Sequence, residues 1–283
     1  MCELLALSTS QPSRLTFSLH ALASHGGETS TSRDGWGVAF YQGTDVALFR
    51  ELVAAGTSPL VRYLETQGPS TTLAISHIRH ATRGTVQFAN TQPFARELGG
   101  HTHVFAHNGD LPDIERSSTL MLGTYRPVGQ TVSEFAFCVL MARMQRLWDA
   151  GEPPAIQARL ALVAAFAEEL RELGPANFLY ADGDVLFAHG HRRMQQSTRK
   201  AEPPGLWILQ RHCADTVPPA DSAAAGVAVE ALERVALFIA SVPLTDEAWR
   251  PLREGELLAV RHGEIVATLL PAPWHLERVP DGV

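Results

Sequence analysis

The sequence predicts an α+β fold, on three observations. Strand-like and helix-like stretches come in blocks, without the regular strand-helix alternation of a doubly wound parallel sheet. Hairpin signals recur: residues 38–41 and 46–49 flank Gln42-Gly43-Thr44-Asp45, residues 178–180 and 185–188 flank Asp182-Gly183-Asp184, and residues 256–267 turn at His262-Gly263-Glu264. Helical periodicity is concentrated in residues 134–148 and 155–173, with Gly151-Glu152-Pro153-Pro154 between them, which gives an antiparallel helix pair. At 283 residues and 45% hydrophobic content the chain can bury a sizeable core. No repeat or low-complexity tract divides it, so residues 1–283 are expected to form one domain with residues 271–283 as a surface tail.

Taken in order, the opening Met1-Cys2-Glu3-Leu4-Leu5-Ala6-Leu7 reads as a buried strand. Residues 15–24 space their apolar side chains as a helix does, Gly26-Gly27 ends them as a C-cap would, and residues 28–33 form a polar loop. Asp34-Gly35-Trp36-Gly37 sets glycines on both sides of a Trp, which fits backbone approaching something closely and fits a turn around a core Trp equally well. Residues 58–66 read as a short helix and 72–76 as a strand that runs into His77-Ile78-Arg79-His80-Ala81-Thr82-Arg83-Gly84. Two Arg and two His in eight residues make a cationic loop at a strand end, a place where ligand contacts concentrate. After Asn90-Thr91-Gln92-Pro93-Phe94, residues 101–110 alternate into His107-Asn108-Gly109-Asp110, a strand entering a turn; Asn-Gly is also the strongest hairpin signal. Residues 192–204 are polar, 206–210 and 235–240 are strand-like, and 218–225 form a loop.

The net charge of −7 argues against a generic nucleic-acid surface. No run reaches the roughly 20 apolar residues of a membrane span and no signal peptide opens the chain, so a cytoplasmic location away from membranes is expected. Cys2, Cys138 and Cys213 are an odd number without paired spacing, which suggests neither a disulfide framework nor a zinc knuckle. His101-Thr102-His103 and His189-Gly190-His191 offer paired imidazoles, but no Cys or carboxylate cluster completes a ligand set. No metal or cofactor is expected.

The chemistry-bearing residues begin with Cys2. Removal of Met1 would leave a thiol and a free α-amine on one Cα. An α-amine titrates near 7.7–8.0, so at neutral pH a useful fraction of it can take the thiol proton. The thiolate is the attacking species, and a Thr activated by its own terminal amine is the established analogue. Arg79 can grip a carboxylate with two parallel hydrogen bonds, which Lys cannot imitate. The Asn108 side-chain N–H and the Gly109 backbone N–H can converge on a developing oxyanion.

Taken together, Cys2, Asp34-Gly35-Trp36-Gly37, His77-Ile78-Arg79 with Ala81-Thr82 and Gly84, Asn90-Thr91-Gln92-Pro93-Phe94 and His107-Asn108-Gly109-Asp110 resemble, in order and spacing, the class II glutamine amidotransferases. The likeness is nearest to their short stand-alone branch. These proteins are N-terminal-nucleophile hydrolases, so the resemblance implies a four-layer αββα sandwich with Cys2 as mature N-terminus and nucleophile. It further implies Arg79 on the substrate α-carboxylate, Asn108 and Gly109 as the oxyanion hole, and Thr82 and Gly37 as pocket contacts. The chain departs from the family pattern at Thr131-Val132-Ser133-Glu134, where an Asp that binds the α-ammonium of glutamine commonly precedes Ser-Glu; Val132 cannot hold a cation, and Asp110 or Glu134 is a candidate substitute. Gln92 stands where many relatives have His. The implied activity is cleavage of the glutamine γ-amide through a Cys2 thioester, with ammonia released or passed to an acceptor enzyme in trans. A hydrolase of γ-glutamyl peptides or conjugates, and a non-catalytic amino-acid-binding or regulatory subunit, remain open.

Overall fold

The computed structural model describes residues 2–14, 34–80, 84–148, 153–195, 197–213 and 234–271. Strand β1 (Glu3–Arg14) is the central piece, with every residue from Glu3 to Thr9 buried. A strand covered on both faces needs a nearly continuous apolar run, and Leu4-Leu5-Ala6-Leu7 is one. Its side chains alternate between two cores. Leu5 and Leu7 join Trp36, Val38, Phe40, Val61 and Leu64, whereas Leu4 and Ala6 join Val104, Ala106, Leu179 and Leu258.

The first sheet also contains β2 (Trp36–Gln42), β3 (Asp45–Glu51), β4 (Ser70–Ile78), β11 (Trp207–Cys213), β12 (Arg234–Ala240) and the short β13 (Arg250–Pro251), in the order β13-β11-β12-β1-β4-β2-β3. The second sheet runs β15-β14-β8-β7-β6-β5, built from β5 (Phe94–Leu98), β6 (His101–Gly109), β7 (Ala176–Ala181), β8 (Leu186–His189), β14 (Leu257–Arg261) and β15 (Glu264–Leu269). The pairings in both sheets are antiparallel. Their inner faces meet through the Leu4, Ala6, Val104 and Leu179 core.

Helices cover the outer faces. On the first sheet lies α1 (Pro59–Gln67), started by Pro59 at a position where its missing N–H costs nothing and by Ser58, whose hydroxyl accepts from Val61 N at 3.1 Å. On the second lie α2 (Val132–Met144) and α3 (Ile156–Leu173), packed over Phe105, Phe178 and Phe187 through Phe137, Leu140 and Phe166. The Phe105 and Phe137 rings stack 5.4 Å apart. The layers are therefore helix, sheet, sheet, helix, which is the αββα sandwich expected.

Four expectations change in detail. The second helix ends at Met144, with residues 145–147 in turns, where the periodicity carried it to 148. Asn108 and Gly109 do not form a hairpin turn: they remain in β6 and pair with Asn177 and Ala176 of β7. The polar stretch 192–204 contains a small ladder, β9 (Arg193–Met194) with β10 (Ala201–Glu202). The strand expected at 206–210 runs on to Cys213. The expected helix at 15–24 with its Gly26-Gly27 cap, the loops 28–33 and 218–225, Thr82, and the tail beyond Pro271 lie outside the described residues.

Candidate active site

Cys2 immediately precedes β1, half-buried, at the end of the sheet where β4 gives way to the cationic loop. Its Sγ accepts the backbone N–H of His80 at 3.2 Å. Burial holds the thiol above its ordinary pKa, opposed by that N–H and by the Arg79 charge. A thiol in such a setting needs a base to become a nucleophile.

Asn108 reaches the same point from the facing sheet. It is the penultimate residue of β6, and its inward Nδ2 donates to the carbonyl of Cys2 at 2.6 Å. Asn177 on β7 donates to the Asn108 carbonyl at 3.0 Å, so the donor's backbone is braced as well. The two candidate groups, separated by 106 residues in sequence, are thus in contact. Gly109 follows at the strand end; a Cβ there would lie 1.7 Å from the Pro175 carbonyl oxygen, which excludes any side chain.

Arg79 is buried, and its guanidinium donates to three backbone carbonyls: Asp34 at 3.3 Å, Gly84 at 3.2 Å and Thr85 at 3.2 Å. Its own N–H donates to Gly35 O at 2.9 Å. The residue therefore organises the loops around Cys2. Gly37 lies in β2 under the 90–93 segment, where a Cβ would come within 2.5 Å of Gln92 O and 3.0 Å of Pro93 Cδ. Of the two explanations for the glycines around Trp36, close backbone approach holds for Gly37. A core Trp holds too, for Trp36 is fully buried and its Nε1 donates to Glu51 at 3.1 Å.

Gln92 completes a ladder with its side chain. Its Nε2 donates to His107 O at 3.2 Å and its Oε1 accepts from His107 N at 2.6 Å, giving β6 a partner just beyond the end of β5. Val132 is the first residue of α2, half-buried, on an open cleft shared with Asp113, Glu115, Arg116 and Gln130. Glu134 is not free to replace the family's acid: its carboxylate accepts from Val128 N at 3.0 Å and Gly129 N at 2.7 Å and pairs with Arg96 at 2.5 Å. Asp110 is exposed just past β6.

Behind Cys2 and Asn108 sits a polar cluster that sequence reasoning missed. Ser241, fully buried at the end of β12, accepts from Leu4 N at 3.0 Å and stands 3.4 Å from Asn108 Nδ2. Arg193 donates to Ser241 O at 2.5 Å and pairs with Glu3 at 2.8 Å, both partners being buried. A charged residue, Glu3, set between Cys2 and the apolar run Leu4-Leu5-Ala6-Leu7 was the one available signal. Among the described residues no group of three or more His, Cys, Asp or Glu is arranged to hold a metal ion, and no helix is long and apolar enough to cross a membrane.

The sequence profile of the class-II glutamine amidotransferases matches residues 1–277. The Escherichia coli K12 protein YafJ, whose name assigns it provisionally to the glutamine amidotransferases, is 34% identical over 262 residues, covering 90% of this chain and 96% of its own. A solved structure of a predicted glutamine amidotransferase from Pseudomonas aeruginosa superposes with a TM-score of 0.67 at 32% identity, covering 94% of this chain and 100% of that one. The glutamine phosphoribosylpyrophosphate amidotransferase of Bacillus subtilis shares the fold, with a TM-score of 0.55 at 16% identity over 95% of this chain and 49% of that one. With its profile match spanning nearly the whole sequence and the αββα layers in place, the chain belongs to the class-II glutamine amidotransferases.

Proposed function

We propose that the protein is an amidohydrolase of γ-glutamyl amides that works through a Cys2 thioester, with glutamine as the leading substrate. The observation that supports this reading is the 2.6 Å contact between Asn108 Nδ2 and the carbonyl of Cys2, in which the amide proposed as oxyanion donor touches the residue proposed as nucleophile. With Met1 removed, the α-amine takes the proton of Sγ, and the thiolate attacks the side-chain carbonyl carbon. The carbonyl oxygen becomes an oxyanion that takes hydrogen bonds from Asn108 and the Gly109 N–H. As the tetrahedral carbon collapses, its C–N bond breaks and the nitrogen leaves with the proton returned from the α-ammonium. Water, deprotonated by the same amine, then cleaves the thioester and releases glutamate. Arg79 holds the substrate carboxylate in this scheme, with Thr82 and Gly37 as pocket contacts. Ammonia is released or is passed to an acceptor enzyme in trans.

Val132 favours a second reading within the same chemistry. Where relatives commonly set a carboxylate for the substrate ammonium, this chain sets an apolar side chain on an open cleft. An apolar side chain at that position suits a γ-glutamyl peptide or conjugate whose α-amine is blocked. Purified protein assayed for glutamate release from glutamine, γ-glutamyl peptides and N-acylated analogues decides between them. Glutamine turnover supports the first reading and turnover of conjugates alone the second. Binding without turnover, with Cys2→Ala behaving as wild type, would leave only a non-catalytic binding subunit.

A further inference from the structure

We infer that Ser241 is a positioning residue for the oxyanion donor: it holds the Asn108 amide in the orientation that the reaction uses. The inference rests on the role proposed for Asn108. One amide hydrogen of Asn108 is directed at Cys2 O, 2.6 Å away, and the other faces Ser241 Oγ at 3.4 Å. The first bond is short; the second is longer than the usual 2.7–3.2 Å range. The second N–H is therefore oriented without being strongly held, and it can turn to a stronger acceptor such as an oxyanion at little cost. An amide turned over about its last torsion would set its own oxygen against the Cys2 carbonyl, which donates nothing, so that carbonyl selects the orientation; the Ser241 hydroxyl, which already accepts from Leu4 N, backs the amide in it.

Ser241 is itself fixed. Its Oγ accepts from Leu4 N at 3.0 Å and its N–H donates to Leu4 O at 3.0 Å, which ties it to the strand that begins beside Cys2. Its carbonyl takes the Arg193 guanidinium at 2.5 Å, and Arg193 is anchored in turn on Glu3 at 2.8 Å. Every member of this set is buried. Ser241 is fully enclosed, so it acts on the reaction through Asn108 and not by touching substrate.

The experiment is a double-mutant cycle read in kcat and KM, with L-glutamine and γ-glutamyl-p-nitroanilide as substrates. Ser241→Ala and Ser241→Cys remove the hydroxyl; the Cys variant is nearly isosteric and carries the test should the Ala variant fail to fold. In the wild-type background kcat is expected to fall about twofold to threefold, the low end of what one hydrogen bond contributes because this one is long, with KM unchanged. In the Asn108→Ala background the same changes should lower kcat no further, because the group being positioned is gone. Equal losses in both backgrounds, or no loss in the wild-type background, overturn the inference while Asn108→Ala alone still lowers kcat. If Asn108→Ala leaves kcat unchanged, or wild type turns over neither substrate, the parent reading fails and this inference with it.

Discussion

At the scale of single residues, the thiol of Cys2 sets the terms of the proposed chemistry. Burial raises its pKa and the His80 N–H only partly opposes this, so the thiolate forms when a base takes the proton. An α-amine can serve, whereas the amide nitrogen that Cys2 carries while Met1 is attached cannot. Active preparations should therefore show an intact mass without Met1, and full activity in a sample that retains it would remove the mechanism. Cys2→Ala should abolish hydrolysis and leave the melting temperature close to wild type, as the substitution gives up only the weak thiol hydrogen bonds to the His80 backbone. Asn108→Ala should lower kcat by roughly 10²–10³ with a smaller change in KM, the usual cost of one oxyanion donor. Arg79→Lys should raise KM; because three carbonyls now depend on the guanidinium, it should lower the melting temperature as well. Wild-type KM together with a lowered melting temperature would assign Arg79 to the loops alone. Cys2, Arg79, Asn108 and Gly109 stand out as candidates in the sequence because residue type in a motif points to chemistry, and the contact between Cys2 and Asn108 appears only in the fold. Ser241 was not: a serine 133 residues beyond Asn108 has no local signal, and its partners exist only once β1, β6 and β12 converge.

At the scale of elements, the proposed substrate choice turns on the start of α2. Thr131 caps it by accepting from Glu134 N at 3.2 Å, and Val132 follows as its first helical residue. Val132→Asp puts a carboxylate in the first turn, where the helix dipole favours it by about 0.3–1 kcal/mol, so the variant should fold. If glutamine binds in the family's manner, its α-ammonium faces Val132 in wild type, and a partly desolvated charge without a partner is costly. The new carboxylate then adds a charge-assisted hydrogen bond worth roughly 1.5–3 kcal/mol, a tenfold to hundredfold gain in kcat/KM for glutamine. An N-acylated analogue should gain nothing. Efficient glutamine turnover in wild type, unaltered by the Asp, would mean that an acid other than Glu134, whose carboxylate is engaged by Val128 N, Gly129 N and Arg96, binds the ammonium. The hairpins around Gly43, Gly183 and Gly263 and the two long helices were legible because their signals are local. The end of β6 was not, since Asn-Gly is turn-like by itself and only pairing with β7 keeps it extended.

At the scale of the whole molecule, the order of strands lay beyond local signals. β1 pairs with β12 and β4, and alternation along β1 tells which side chains face which core but not which strand lies alongside. That two-sided core has a consequence for pH. His77, His103, His107 and His189 are all buried, and burial lowers their pKa values to about 3, 3, 4 and 3. The folded protein keeps these rings neutral, while the unfolded chain protonates them near the ordinary value of about 6.5. Their contribution to stability is complete above pH 6.5 and is lost as pH falls from there toward 4, because the unfolded state then binds protons that the folded state refuses. Each histidine contributes a slope of up to about 1.4 kcal/mol per pH unit in that window. Glu3 and Asp182, whose carboxyl pKa values burial raises, oppose this at the acid end by holding protons longer in the folded state than in the unfolded one. The urea midpoint should accordingly stay level from pH 8 to 7 and drop steadily between pH 6.5 and 4.5. Neither ring nitrogen of His77 has a hydrogen-bond partner among the described residues, so His77→Phe should flatten the drop by about one histidine's share. A midpoint that does not move across that window would mean that the buried imidazoles take up protons in the folded state, with solvent reaching the inter-sheet core around His77.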